Sequence, residues 1–235
     1  MSTLFIIPAR GGSKGLPGKN IKELSGKPLL EYSIDIARAC TTDDHICLST
    51  DSEEIIKVAR DYGLNVPFNR PAELASDTAG TREVILHALD HYKNKGMDYD
   101  RLVLLQPTSP FRRKQDILEM QHLFSPALDL VVSVKEADKN PYFSLFEENG
   151  EGYLTLSKPS QFTRRQDSPK VYAYNGSVYV INAQSIRNSN FNQFTKIRKY
   201  VMDEIRSIDI DTEFDWLIAK TIIENGLHKH EVPTK

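Results

Sequence analysis

The sequence predicts an α/β protein built on a doubly wound, mostly parallel sheet, and three observations carry that prediction. Residues 3–8 form a continuous apolar run ended by Pro8, the pattern of a strand buried on both faces. Short apolar runs return at 45–49, 101–105, 128–134 and 177–181. Between most of them, apolar residues recur at helical spacing, and strands alternating with helices make βαβ units.

The elements follow in order. Leu29, Leu30, Ile34, Ile36 and Ala37 roughly share the face of a first helix. A second, over 52–62, gathers Ile55, Ile56, Val58 and Ala59 and meets Gly63 where a C-terminal cap belongs. Residues 65–68 read as a short extended piece. A third helix places Val84, Ile85, Ala88, Leu89 and Tyr92 on one face, and 115–124 reads as a fourth. The rhythm breaks at 135–175, where aromatic residues, Pro, Gly and charges mix without period; this reads as an insertion of short strands within a single domain, 1–235. The last helix is expected to bury Phe214, Leu217, Ile218, Thr221 and Ile222 together.

Bulk composition excludes several classes. A chain of 235 residues with 40% hydrophobic content can bury one sizeable core. Thirty basic against thirty-two acidic side chains give no positive field for nucleic acid or an anionic membrane, so an anion must be held locally. Cys40 and Cys47 are the only cysteines and have no ligand-like His spacing, which argues against a disulfide framework and a zinc site. The apolar run 4–9 is too short for a signal segment or a membrane span, so a soluble, cytoplasmic protein is expected.

The chemistry starts after the first strand, in Arg10-Gly-Gly-Ser-Lys-Gly-Leu-Pro-Gly-Lys-Asn20. Glycines let backbone N–H groups converge on an anion, and a strand feeding such a turn is a phosphate cradle. Here Arg10, Lys14 and Lys19 add cations. The turn is not a Walker A loop, because Lys19 precedes Asn20 rather than Ser or Thr and Ser13 stands where the first Gly belongs. Nor is it G-x-G-x-x-G, since its glycines fall at 11, 12, 15 and 18.

Near the other end, Asp209 and Asp211 are two apart, so on an extended segment both carboxylates project from one face, with Ile208 and Ile210 opposite. A cation between them relieves their repulsion, and Mg²⁺ accepts one or two carboxylates plus substrate phosphates. The alternative is capping: Thr212 and Asp215 resemble a capping box, and Asp211 could serve the same helix. Gln106 follows the buried strand 101–105, so its amide stands at a strand end where a hydroxylated ligand could be read; Pro107 and Pro110 stiffen the loop, and Thr108-Ser-Pro could equally be a structural turn. His87 and His91, four apart on a helix, lack a third ligand and read as a solvated face.

The run from Ile7 to Asn20 resembles the signature of the N-acylneuraminate cytidylyltransferases. Segments 49–52, 70–77, 105–112 and 207–215 agree with that family in order, so the resemblance covers nearly the whole chain. It implies a Rossmann-like nucleotidyltransferase that transfers CMP from CTP to a sialic acid or another nonulosonic acid. By the resemblance, Arg10, Gly11, Ser13, Lys14, Lys19 and Asn20 hold the triphosphate, while Arg70 and Thr81 contact the cytidine. It adds weight to Mg²⁺ on Asp209 and Asp211, with Arg10 and Lys19 completing the catalytic set. The sugar is expected at Gln106, Thr108, Ser109, Arg165, Gln166, Tyr172 and Asn175, where Arg165 can pair bidentately with a sugar carboxylate. Some members carry an Arg two residues before the Asn175-Gly176 pair, where this chain has Ala173. The resemblance also implies a homodimer in which the insertion 135–175 packs on the partner's site.

Overall fold

The computed structural model describes residues 1–12, 15–76 and 80–229. In chain order its elements are β1 (Thr3–Pro8), β2 (Glu23–Leu24), β3 (Lys27–Pro28), α1 (Leu29–Arg38), β4 (Ile46–Ser49), α2 (Glu53–Asp61), α3 (Thr81–Asn94) and β5 (Arg101–Leu105). There follow α4 (Lys114–Leu123), β6 (Leu130–Glu136), β7 (Phe146–Glu148), β8 (Leu154–Leu156), β9 (Tyr172–Asn182), α5 (Ala183–Asn188), β10 (Ile197–Val201) and α6 (Glu213–Glu224).

Six strands form one sheet in the order β10-β6-β9-β5-β1-β4. β1 pairs in parallel with β4 and β5, and β10 in parallel with β6. The doubly wound, mostly parallel reading is thus the observed one, with a single reversal: β9 runs antiparallel to both neighbours. The continuous apolar runs have a direct cause. Phe5 and Ile7 belong to a core shared with α1, α2 and α4, whereas Leu4 and Ile6 belong to one shared with α3 and α5. Both faces of the central strands are therefore covered, and each such side chain contributes about 1.5–3 kcal/mol by leaving water.

Three expectations need correction. The insertion is shorter than 135–175, since β6 runs to Glu136 and β9 begins at Tyr172; between them lies the β7–β8 hairpin. His87 and His91 are not a solvated face: both rings pack on Phe68, with centroids 4.5 and 4.8 Å away, and burial lowers both pKa values. The third concerns α6, which buries Trp216, Ala219 and Ile222, while Phe214 and Leu217 stay 70% and 59% exposed. Periodicity chose the face richest in aliphatic residues, but Trp216 carries the largest apolar area and turns the helix toward itself. The capping reading of Thr212 and Asp215 is what the structure shows: Asp215 N donates to Thr212 Oγ1 at 3.2 Å and Thr212 N donates to Asp215 Oδ2 at 2.8 Å.

The edge strand β10 escaped the sequence reading because it is short and largely exposed, with charged Arg198 and Lys199 in its middle. Residues 65–68 form no strand, although Val66 is buried. Among the described residues, no helix is long and apolar enough to cross a membrane.

The α6 assignment has a measurable consequence. Ile222→Ala is expected to cost about 2–5 kcal/mol in urea denaturation, and Phe214→Ala less than about 0.5. Equal losses would mean that the helix is turned the other way.

Candidate active site

The sheet places a crevice at the carboxyl end of β1, because the chain continues from it to β4 on one side and β5 on the other, the switch point where open α/β sheets hold ligands. A cleft of about 570 Å³ occupies that position. Arg10, Gly15, Lys19, Asn20, Arg70, Thr81, Gln106, Thr108, Asp209 and Asp211 all line it. Segments spread over two hundred residues of sequence are thereby gathered into one site.

The Gly-rich turn is held from three directions. Gly11 N donates to Asp51 Oδ1 at 3.1 Å, and a Cβ on Gly11 would lie 2.9 Å from Ser52 Cβ, so only glycine lets the turn approach the end of β4. Asn20, 5% exposed, donates through Nδ2 to Arg10 O at 3.0 Å and closes the turn on itself. At Gly15 the approach is closer still: a Cβ would sit 2.4 Å from the carbonyl oxygen of Asp211. Ser13 and Lys14 lie outside the described residues.

That contact joins the turn to the aspartate segment. Lys19 Nζ donates to Ile210 O at 2.9 Å and pairs with Asp211 Oδ1 at 2.7 Å. Ile210 is fully buried in a small third core with Leu16 of the turn and Trp216 of α6, and Ile208 packs against the same core, as the two-residue spacing predicts. Ile210 N donates to Thr108 O at 2.9 Å, tying the segment to the loop after β5. Asp209 is the partly buried member of the pair, and Asp211 is exposed. Burial raises its pKa, a hydrogen bond from Thr108 lowers it, the neighbouring Asp211 raises it and Lys19 lowers it. Its Oδ1 is buried and has no hydrogen-bond partner among the described residues, an expensive state for a carboxylate oxygen. Among the described residues, no group of three or more His, Cys, Asp or Glu stands where it could hold a metal.

Arg70 is 5% exposed, and its Nη2 meets Asp51 Oδ1 at 3.2 Å. Burial lowers its pKa, Asp51 pulls it back, and Arg10 repels it. Asp51 therefore anchors both Arg70 and the turn, a role the sequence reading did not assign although it recognised segment 49–52. Thr81 opens α3 at the cleft; the N-cap itself is Gly80.

After β5, Gln106 and Thr108 reach the cleft, but Ser109 is fully buried with an unpartnered Oγ and does not line it. Asn175 also departs from expectation. Its Oδ1 accepts from Ser133 Oγ at 2.6 Å and Ser177 N at 3.2 Å, and its Nδ2 reaches Ser207 Oγ at 3.0 Å and Met202 Sδ at 3.4 Å. With those bonds its amide is committed to fixing the irregular part of β9, where Gly176 adopts φ +72° beside Asp209. Arg165, Gln166 and Tyr172 do not reach the cleft of their own chain. The first two line a separate surface cavity of about 400 Å³, and Tyr172 packs beneath Lys199. Asp167 pairs with Arg164 at 2.8 Å, not with Arg165.

Gly15→Ala should separate the two halves of the site, since the new methyl collides with backbone rather than a movable side chain. Nucleoside triphosphate affinity, followed by calorimetry, is expected to fall by at least about tenfold, or about 1.4 kcal/mol. Unchanged affinity would show that the contact is incidental.

Comparison with known proteins narrows the chemistry. The sequence profile of the family described as cytidylyltransferase matches residues 4–208. A CMP-N,N'-diacetyllegionaminic acid synthase of Legionella pneumophila is 34% identical over 229 residues, covering 95% of this chain and 97% of that one. An N-acylneuraminate cytidylyltransferase of Escherichia coli is 37% identical over 227 residues, which are 93% of this chain and 51% of that longer one. Among solved structures, a CMP:2-keto-3-deoxy-manno-octonic acid synthetase in complex with CTP superposes with a TM-score of 0.71 over 96% of this chain and all of that one, at 16% identity, a likeness of fold. A Gly-rich turn packed against the Asp209–Asp211 segment at the switch point of this sheet, together with a profile match over most of its length, means that the chain belongs to the cytidylyltransferase family.

Proposed function

We propose that the chain transfers CMP from CTP to the anomeric hydroxyl of a nonulosonic acid, N-acylneuraminate in the first instance, releasing pyrophosphate. One observation carries this reading: Arg10 and Lys19 of the turn and the Asp209–Asp211 pair face one cleft of about 570 Å³. The hydroxyl oxygen attacks the α-phosphorus, the bond to the bridging oxygen breaks, and pyrophosphate leaves with that electron pair. Such a displacement depends on positioning and on neutralising charge more than on covalent help. Arg10, Lys19 and the turn's backbone amides neutralise the departing pyrophosphate, and Arg70 with Thr81 holds the cytidine end. Gln106 and Thr108 stand across the cleft for the sugar.

The carboxylates of Asp209 and Asp211 suit Mg²⁺, a hard cation that takes one or two carboxylates and completes its shell with water and phosphate. The unpartnered Oδ1 of Asp209 supports that assignment, since a buried carboxylate oxygen calls for a donor or a cation. Bound there, Mg²⁺ would offset charge on the phosphates. Lys19, now paired with Asp211, is able to exchange that partner for a phosphate.

Arg165, Gln166 and Tyr172 are assigned to the cleft of a second copy. The insertion that carries Arg165 and Gln166 exposes Phe146, Tyr153 and Leu154, all more than half accessible, a surface suited to burial against another subunit. In that homodimer Arg165 would meet the sugar carboxylate. A second reading has one specific support. The legionaminic relative matches end to end, whereas the sialic acid relative is about twice this chain's length. N,N'-diacetyllegionaminic acid is therefore the alternative acceptor.

A pyrophosphate-release assay with the four nucleoside triphosphates and a panel of nonulosonic acids separates these readings. Turnover is expected with CTP alone, with N-acylneuraminate or its legionaminic counterpart, and it should vanish when a chelator removes Mg²⁺. No turnover with CTP and any nonulosonic acid would overturn the proposal, and turnover confined to the eight-carbon acid would move it to a different acceptor class.

A further inference from the structure

We propose that Arg112 is a positioning residue of the transfer reaction: buried behind the cleft, it fixes the carbonyls of Gln106 and Ser177. The inference rests on the functional reading above. Arg112 is 4% exposed, and a guanidinium is costly to bury unless its donors and its charge are matched. Nη1 donates to Ser177 O at 2.6 Å, and Nη2 donates to Ser33 Oγ at 2.6 Å and to Gln106 O. Two of those three acceptors are backbone atoms at the cleft. Gln106 leaves β5 there, and Ser177 follows Gly176, on which a Cβ would lie 3.0 Å from Asp209 Oδ2. Gln106 N also donates to Ser177 O, so the fork of Arg112 clamps a junction that the sheet itself closes with one long bond of 3.4 Å.

The charge has a matching logic. Burial pushes the Arg112 pKa down to about 9, opposed by the carboxylates of Asp209 and Asp116. Asp116 is already engaged by Arg206 and by the backbone N–H of Arg113. Ser33, on α1, is the one partner of Arg112 remote from the cleft and serves as the control.

The test compares R112K and S33A with wild-type protein by thermal unfolding, CTP binding in Mg²⁺, and kcat and KM for both substrates. Both variants should lower Tm. R112K should bind CTP within about threefold of wild type, yet lose kcat by at least about 100-fold, because a misplacement of about 1 Å at reacting groups costs that much. S33A should keep kcat within about threefold. If R112K loses no more kcat than S33A, the inference is overturned. R112Q makes the same comparison should R112K not fold, and failure of both to fold assigns Arg112 to folding and overturns the inference as well. A wild type that turns over CTP with no nonulosonic acid overturns the functional reading and the inference together, whereas an active wild type with an unaffected R112K overturns the inference alone.

Discussion

The site depends on one piece of packing: Leu16 from the Gly-rich turn and Ile210 from between the two aspartates share a small core with Trp216 of the last helix. This core is separate from the two that cover the sheet and sits beside the cleft. It holds a loop near the start of the chain against a segment near its end, so that Gly15 can meet the Asp211 carbonyl and Lys19 can reach Ile210 and Asp211. Without it the polar contacts would have to pay the whole entropy of joining two loops about two hundred residues apart, which exposed ion pairs worth ~0–1 kcal/mol cannot do. The capping box at Thr212 and Asp215 then starts α6 immediately after Asp211, fixing where Trp216 falls.

Around that weld the buried charges are arranged as offsets. Asp51 serves Arg70 and the turn, and Asp116 is matched by Arg206. Burial works against the charge of Arg70, so it needs a partner to stay charged. The exposed residues at the mouth, Asp211 above all, remain able to change partners. A site of this kind keeps a rigid floor beneath a rim that can reorganise on binding an anion.

How legible this was in the sequence follows from what each feature encodes locally. Continuous apolar runs reveal strands buried on both faces, because every residue there must satisfy one core or the other, and the five strands of the sheet other than β10 were readable for that reason. The direction of β9 was not, since pairing direction leaves no mark in a single strand. The exposed alternation of β10 resembles a loop. At the site, glycine spacing and the two-residue period of Asp209 and Asp211 carried their own geometry, and the structure brings them to one cleft. Asn175 and Ser109 do not line that cleft, and a polar residue in a matching motif looks the same whether it meets a ligand or the protein's own backbone. Arg112 and Asp51 passed unassigned for the converse reason: their work is to hold other groups, and only tertiary contacts reveal it. The face of α6 shows periodicity losing to the size of one tryptophan.

The central claim is that the Gly-rich turn and the Asp209–Asp211 segment are two halves of one clamp. A crystal structure with CTP and Mg²⁺ tests it most directly. The account expects the triphosphate to lie between the backbone amides of the turn and the two carboxylates, with Lys19 turned from Asp211 toward phosphate. A nucleotide bound with its phosphates beyond reach of Asp209 and Asp211, or with Lys19 still paired as before, would contradict it.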